Sequence, residues 1–182
     1  LREKIAEKNT SKKLKEVSLD RSSRILSGID EFDRTIGGGL VRDSVSILTA
    51  RPGMGKSTLL LELADKFSSQ GLKLMYISGE ESESQIKQRA MRIMSEISDN
   101  IYILSTNSMD LALAEIERIN PQIIFLDSIQ TVSLEAYSQR AGSPTQTIEC
   151  ANAFVDICKN PSNPKAGIMI GHMTKSDQLA GL

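Results

Sequence analysis

The sequence predicts an α/β fold with a mostly parallel central sheet flanked by helices. Three observations carry this. Five short apolar runs, at 44–50, 72–78, 100–105, 122–128 and 166–172, alternate with helical patterns near 55–69, 82–97, 108–119 and 144–159. The runs are apolar on both faces, as strands covered on both sides require. The repeated strand–helix–strand order supplies the crossovers that parallel pairing needs. With 182 residues, 40% of them apolar, the chain can bury one sizeable core.

Taken in order, residues 1–24 read as a linker or flexible N-terminal arm. Lys4, Lys8, Lys12, Lys13 and Lys15 alternate there with Glu3, Glu7 and Glu16, so the acids cancel most of the basic charge. The core spans 25–182. It opens with "SGIDEFDRTIGGGL", where Ser27 can cap a short helix carrying Ile29, Phe32 and Ile36. Gly37-Gly38-Gly39 breaks that helix. "NPSNPKAG" (160–167) reads as the loop before the last strand. The chain begins with Leu1 rather than Met, which suggests a piece of a longer protein or a processed chain.

The seam between the first apolar run and the helix after it holds Ala50-Arg51-Pro52-Gly53-Met54-Gly55-Lys56-Ser57-Thr58. This fits the phosphate-binding loop, with Ala50 where the pattern usually starts with Gly. Gly53 and Gly55 let several backbone N–H groups turn toward one anion. The helix start adds its positive end. Lys56 can reach the β- and γ-phosphates, and the Ser57 hydroxyl can ligate Mg²⁺. Thr58 is a further phosphate contact.

Three other strand ends bear on the chemistry. Asp127 follows four apolar residues in "IIFLDSIQ", at the strand edge where ligands of open parallel sheets sit. A carboxylate there suits Mg²⁺ beside Ser57, although an Asp at a strand end can also simply cap a loop. Glu80 and Glu81 in "MYISGEESESQI" could activate water, or could merely stabilise the start of the next helix. The residues alone leave those readings even. His172, the only histidine, ends the last run. It could sense a γ-phosphate, but a hydrogen-bonded loop residue is the plainer reading.

Composition narrows the classes. Net charge is −1 with a pI near 6.0, so no global field draws the chain to nucleic acid, and any DNA contact must be local. Cys150 and Cys158 lie eight apart on a predicted helix, which suits two reduced thiols better than a zinc knuckle or a disulfide. No run has the length of a membrane span and no signal peptide is visible, so a cytoplasmic protein without a membrane partner is expected.

The ordered segments "GIDEFDRTIGGGL", "RPGMGKSTLLLELA", "YISGEESESQIKQRA", "IIFLDSIQTV", "GSPTQTIECANAF" and "IGHMTK" together resemble the RadA (Sms) family of bacterial RecA-like DNA-repair ATPases, over roughly residues 20–182. The resemblance implies a RecA-like P-loop ATPase that uses ATP and Mg²⁺. It implies a DNA-dependent activity, in a hexameric ring, that drives branch migration of recombination intermediates. Single-stranded or branched DNA would be the partner, and the RecA recombinase a candidate second one. By position, Glu80 matches the water-activating glutamate, with Lys56 as the catalytic cation. Asp127 matches the metal-site aspartate, and His172 the γ-phosphate-sensing strand end. Arg140 and Lys175 fall in segments matching the two mobile DNA-facing loops. The family's zinc belongs to a four-cysteine finger that this sequence lacks. The family's later Lys-Asn-Arg-Phe-Gly motif and Lon-protease-like domain also have no counterpart here. The match therefore implies the ATPase core alone, weakly active by itself if a basic residue from outside it completes the site.

Two other classes compete. A KaiC-like regulatory or assembly module shares the glycine-rich entry and paired glutamates but does not act on DNA. A small-molecule P-loop kinase is disfavoured, because 129–143 holds one arginine where a phosphate-clamping lid would want several.

Overall fold

The computed structural model describes residues 13–17, 24–51 and 53–172. A short antiparallel pair, β1 (Arg24–Ile25) with β2 (Leu40–Val41), brackets the helix α1 (Asp30–Thr35). The main sheet then alternates strand and helix. Its elements are β3 (Val45–Ala50), α2 (Lys56–Ser68), β4 (Leu74–Ser78), α3 (Glu83–Ile93), β5 (Ile101–Ser105), α4 (Met109–Ile119), β6 (Ile123–Asp127), α5 (Pro144–Cys158) and β7 (Ala166–His172). The sheet order is β3-β7-β6-β4-β5, and every pairing is parallel. This is the expected α/β architecture, with boundaries within two residues except at one helix. The helix expected over 82–97 stops at Ile93, where Met94 turns extended and buries its side chain.

Alternation within the strands splits the core in two. Leu74, Tyr76, Ile123, Phe125, Ile168 and Ile170 face one side and pack on Leu60, Leu63 and Phe67 of α2 and on Ile86 of α3. Met75, Ile77, Ile124, Leu126 and Met169 face the other and pack on Met109, Ala112 and Ile116 of α4 and on Cys150, Phe154 and Cys158 of α5. Each large side chain so buried contributes about 1.5–3 kcal/mol. Burial pushes the Cys150 thiol up to about 11 and the Cys158 thiol up to about 12, which makes both poor nucleophiles. A Cβ on Gly167 would meet Phe154 at 2.7 Å, so this glycine lets α5 lie close on β7.

Local chemistry sets the helix starts. Ser82 and Gln85 form a reciprocal capping box on α3, Ser108 caps α4, and Ser143 caps α5 with Pro144 in its first turn. The start of α1 differs from expectation. Ile29, not Ser27, holds the N-cap position. The buried Asp33 carboxylate reaches back to accept from the Ser27 N–H (2.9 Å), the Ser27 hydroxyl (2.8 Å) and the Gly28 N–H (3.1 Å). A carboxylate accepts more bonds than one hydroxyl can, so it takes the organising role. Gly39 is required where the chain returns. Its φ is +109°, and a Cβ there would meet the Ile25 carbonyl oxygen at 2.8 Å. Asp33→Ala strands buried donors and is expected to cost about 2 kcal/mol in chemical denaturation.

Candidate functional site

The topology delivers four strand ends to one edge. β7 lies between β3 and β6, and β4 lies on the far side of β6. The loop after β3, the Gly79-Glu80-Glu81 turn after β4, Asp127 at the end of β6 and His172 at the end of β7 therefore converge. They line a cleft of about 340 Å³ with Gly53, Gly55, Lys56, Ser57 and Thr58 on one wall and Glu80, Asp127 and His172 on the other.

Gly53 and Gly55 have φ near +80°, and a Cβ on either would meet nothing within 4 Å. Backbone conformation, not crowding, requires glycine there. Lys56 opens α2, is 9% exposed, and donates from Nζ to the Arg51 carbonyl (3.3 Å). Ala50 ends β3 in register with His172. The exposed Met54 also lines the cleft. Pro52 and Lys175 lie outside the described residues.

Asp127 is 6% exposed, and its Oδ2 accepts two hydrogen bonds. One comes from the Ser57 hydroxyl (2.8 Å), seventy residues earlier in the chain, and one from the Tyr76 hydroxyl (2.8 Å). Burial, and then the neighbouring Asp127 charge, push the Tyr76 phenol far above its ordinary range, so it stays neutral and donates.

The two glutamates part. Glu81 pairs with Arg89 on α3 at 2.7 and 2.8 Å. Glu80 turns to the cleft, where its Oε1 lies 3.0 Å from His172 Nε2 and accepts from the Ser128 hydroxyl at 3.3 Å. Ser78 holds the turn by accepting from both backbone N–H groups, Glu80 at 3.4 Å and Glu81 at 3.0 Å. The capping box of Ser82 and Gln85 shows that the segment just after these glutamates starts a helix. His172 Nδ1 is buried and has no hydrogen-bond partner among the described residues.

These residues fit a nucleotide with Mg²⁺. The donors are hard oxygens, one carboxylate and one hydroxyl, beside a lysine and a loop of turned N–H groups. Among the described residues no cluster of three or more His, Cys, Asp or Glu could hold a metal ion.

Arg140 stands apart from the cleft, exposed in the segment between Val132 and Ser143. That segment is tied down by the buried Gln146. Its amide donates to the carbonyls of Leu134 (3.0 Å), Tyr137 (2.9 Å) and Gln139 (3.1 Å) and accepts from the Leu134 N–H (2.9 Å). Sequence reading missed Tyr76, Arg89 and Gln146. Tyr76 left a signal, a polar tip inside a strand buried on both faces, which needs a partner. Arg89 and Gln146 left none.

A parallel sheet whose strand ends join a phosphate loop to a buried carboxylate and a glutamate defines the RecA-like P-loop class. The chain belongs to the DnaB-like helicase C terminal domain family, which matches residues 24–160. It is 39% identical over 167 residues, 91% of the chain, to the DNA repair protein RadA of Mycobacterium tuberculosis (strain CDC 1551 / Oshkosh), covering 34% of that protein. It is 38% identical over 175 residues, 96% of the chain, to the DNA repair protein RadA of Streptococcus pneumoniae, covering 41% of it. To the same-named protein of Halalkalibacterium halodurans it is 36% identical over 165 residues, 91% of the chain and 35% of that protein. The chain thus spans little more than a third of the length of these curated relatives. The RadA resemblance read from the motifs is borne out. No helix among the described residues is long and apolar enough to cross a membrane.

Lys56→Ala removes the one lysine among the described residues that line the cleft. It is expected to weaken nucleotide binding at least about tenfold by fluorescence anisotropy, with little change in thermal unfolding.

Proposed function

We propose that this chain is the ATPase core of a DNA-repair motor, hydrolysing ATP in response to DNA. The supporting observation is the convergence of Lys56, Ser57, Asp127, Glu80 and His172 on one cleft from four adjacent strand ends. The glycine loop and Lys56 bind the phosphates. Ser57 and Asp127 would hold Mg²⁺, which would supply charge neutralisation for the transferred phosphoryl group. Glu80 orients a water and accepts its proton as the water attacks the γ-phosphorus and the bond to the β,γ-bridging oxygen breaks, with ADP as the leaving group. The choice of Glu80 over Glu81 rests on the Arg89 pair, which occupies Glu81 and leaves Glu80 to the cleft. His172 bonds the same carboxylate oxygen region and reports the state of the γ-phosphate to the segment after β7.

DNA contact falls to Arg140 and Lys175. The near-neutral net charge puts any attraction to phosphate in a few local cations, so binding should weaken steeply with salt. The RadA relatives support DNA repair as the setting. Branch migration by a hexameric ring, acting on single-stranded or branched DNA, is the motor activity that this site would power.

Two experiments test this. Glu80→Gln should keep nucleotide affinity and lose turnover by about 10²–10⁴-fold, whereas Glu81→Gln keeps most of it; the reverse pattern would move the base to Glu81. ATP turnover should rise with single-stranded DNA at low salt and lose that rise at high salt, and Arg140→Ala should blunt the rise without changing ATP affinity. Turnover indifferent to DNA would favour a KaiC-like regulatory module instead.

A further inference from the structure

We propose that Tyr76 is a positioning residue for the metal site: its hydroxyl holds the Asp127 carboxylate against Ser57. This rests on the nucleotide-binding reading above. Tyr76 lies in the middle of β4, 1% exposed, and its ring meets Phe125 edge-on at 6.3 Å. A phenylalanine would fill that space equally well. The hydroxyl is the difference, and it lies 2.8 Å from Asp127 Oδ2.

The register explains the reach. Tyr76 pairs with Phe125 and Ser78 pairs with Asp127, so Tyr76 and Asp127 are diagonal neighbours on one face of the sheet. A long aromatic side chain spans that diagonal. The Ser57 hydroxyl bonds the same oxygen from α2. Ser57 has a second task, because its hydroxyl is also a metal-ligating group. Tyr76 has none, so it is the donor that stays with Asp127 when Ser57 turns to the ion. The chemistry of the donor matters too. A lysine or arginine at this position would cancel the carboxylate charge that a cation needs. A neutral phenol orients the carboxylate and leaves that charge whole.

The test is a titration of a fluorescent ATP analogue into wild type, Tyr76→Phe, Asp127→Asn and the double variant, each with EDTA and with Mg²⁺. Wild type and Tyr76→Phe should bind alike in EDTA. The gain in affinity on adding Mg²⁺ should be about tenfold smaller in Tyr76→Phe. In the Asp127→Asn background, Tyr76→Phe should cause no further loss. An equal Mg²⁺ gain in wild type and Tyr76→Phe overturns the role of Tyr76 and leaves the proposed function standing. A loss of the same size with and without Mg²⁺ also overturns it, since a packing defect would act that way. Absence of nucleotide binding by wild type, with or without Mg²⁺, overturns the proposed function and this inference together.

Discussion

The site is organised around one buried carboxylate. Asp127 sits at the end of a fully buried strand, where an unpartnered charge would be costly. Its two hydroxyl donors come from different elements, Tyr76 on β4 and Ser57 on α2. Meeting that need fixes α2 against the sheet and sets the mouth of the phosphate loop beside β6. Because β7 runs between β3 and β6, the same constraint puts His172 between the loop and the carboxylate. Neutral donors leave the carboxylate its charge, which the proposed metal role would need. An ammonium or guanidinium at 2.8 Å would have satisfied the carboxylate and spoiled it for metal.

Adjacent glutamates are separated by what each can reach. The Glu80 and Glu81 carboxylates take different partners. Arg89, two turns into α3, takes Glu81. The ion pair is partly exposed, so it adds little stability, and its use is steric and directional. It anchors the turn from the helix side while Ser78 anchors it from the strand side. Glu80 is left with His172 and Ser128, two partners that a bound nucleotide could exchange.

Most of the fold was legible in the sequence because its strands are buried on both faces. Apolar runs such as "IIFLD" and "AGIMIGH" have few alternatives once helices alternate with them. Helix starts were legible where Ser precedes a polar first turn, and less so at α1, where Asp33 overrides Ser27 from within the helix. The phosphate loop, Asp127 and His172 were legible because each ends an apolar run, and such ends meet at one edge of a parallel sheet. Which of the two glutamates faces the cleft was not legible in the residues alone, and only the family resemblance pointed to Glu80. The choice depends on Arg89, which sits eight residues beyond Glu81 and has no motif of its own. The order of strands was also hidden, since nothing in β7 announces that it inserts between β3 and β6. Tyr76 signalled the need of a partner, but which partner was hidden for the same reason, because only cross-strand register brings it to Asp127.

The cleft is wired to the segment that carries Arg140. Gly79, just before Glu80, packs so closely on Thr131 that any side chain would collide with it. Asn107 ties both turns together, donating to the Gly79 carbonyl (3.1 Å) and the Thr131 carbonyl (2.8 Å). Gln130 accepts from the His172 N–H (3.2 Å), and its own carbonyl lies under Gly142, where a Cβ would come within 3.2 Å. The turn at 129–131 thus touches the end of β7, the glutamate turn and the far end of the 132–143 segment. Gln146 makes that segment a shaped body rather than a slack tether, and Ser143 joins it directly to α5. Arg140 is therefore carried on a hydrogen-bonded segment that meets the cleft through the 129–131 turn while standing outside the cleft.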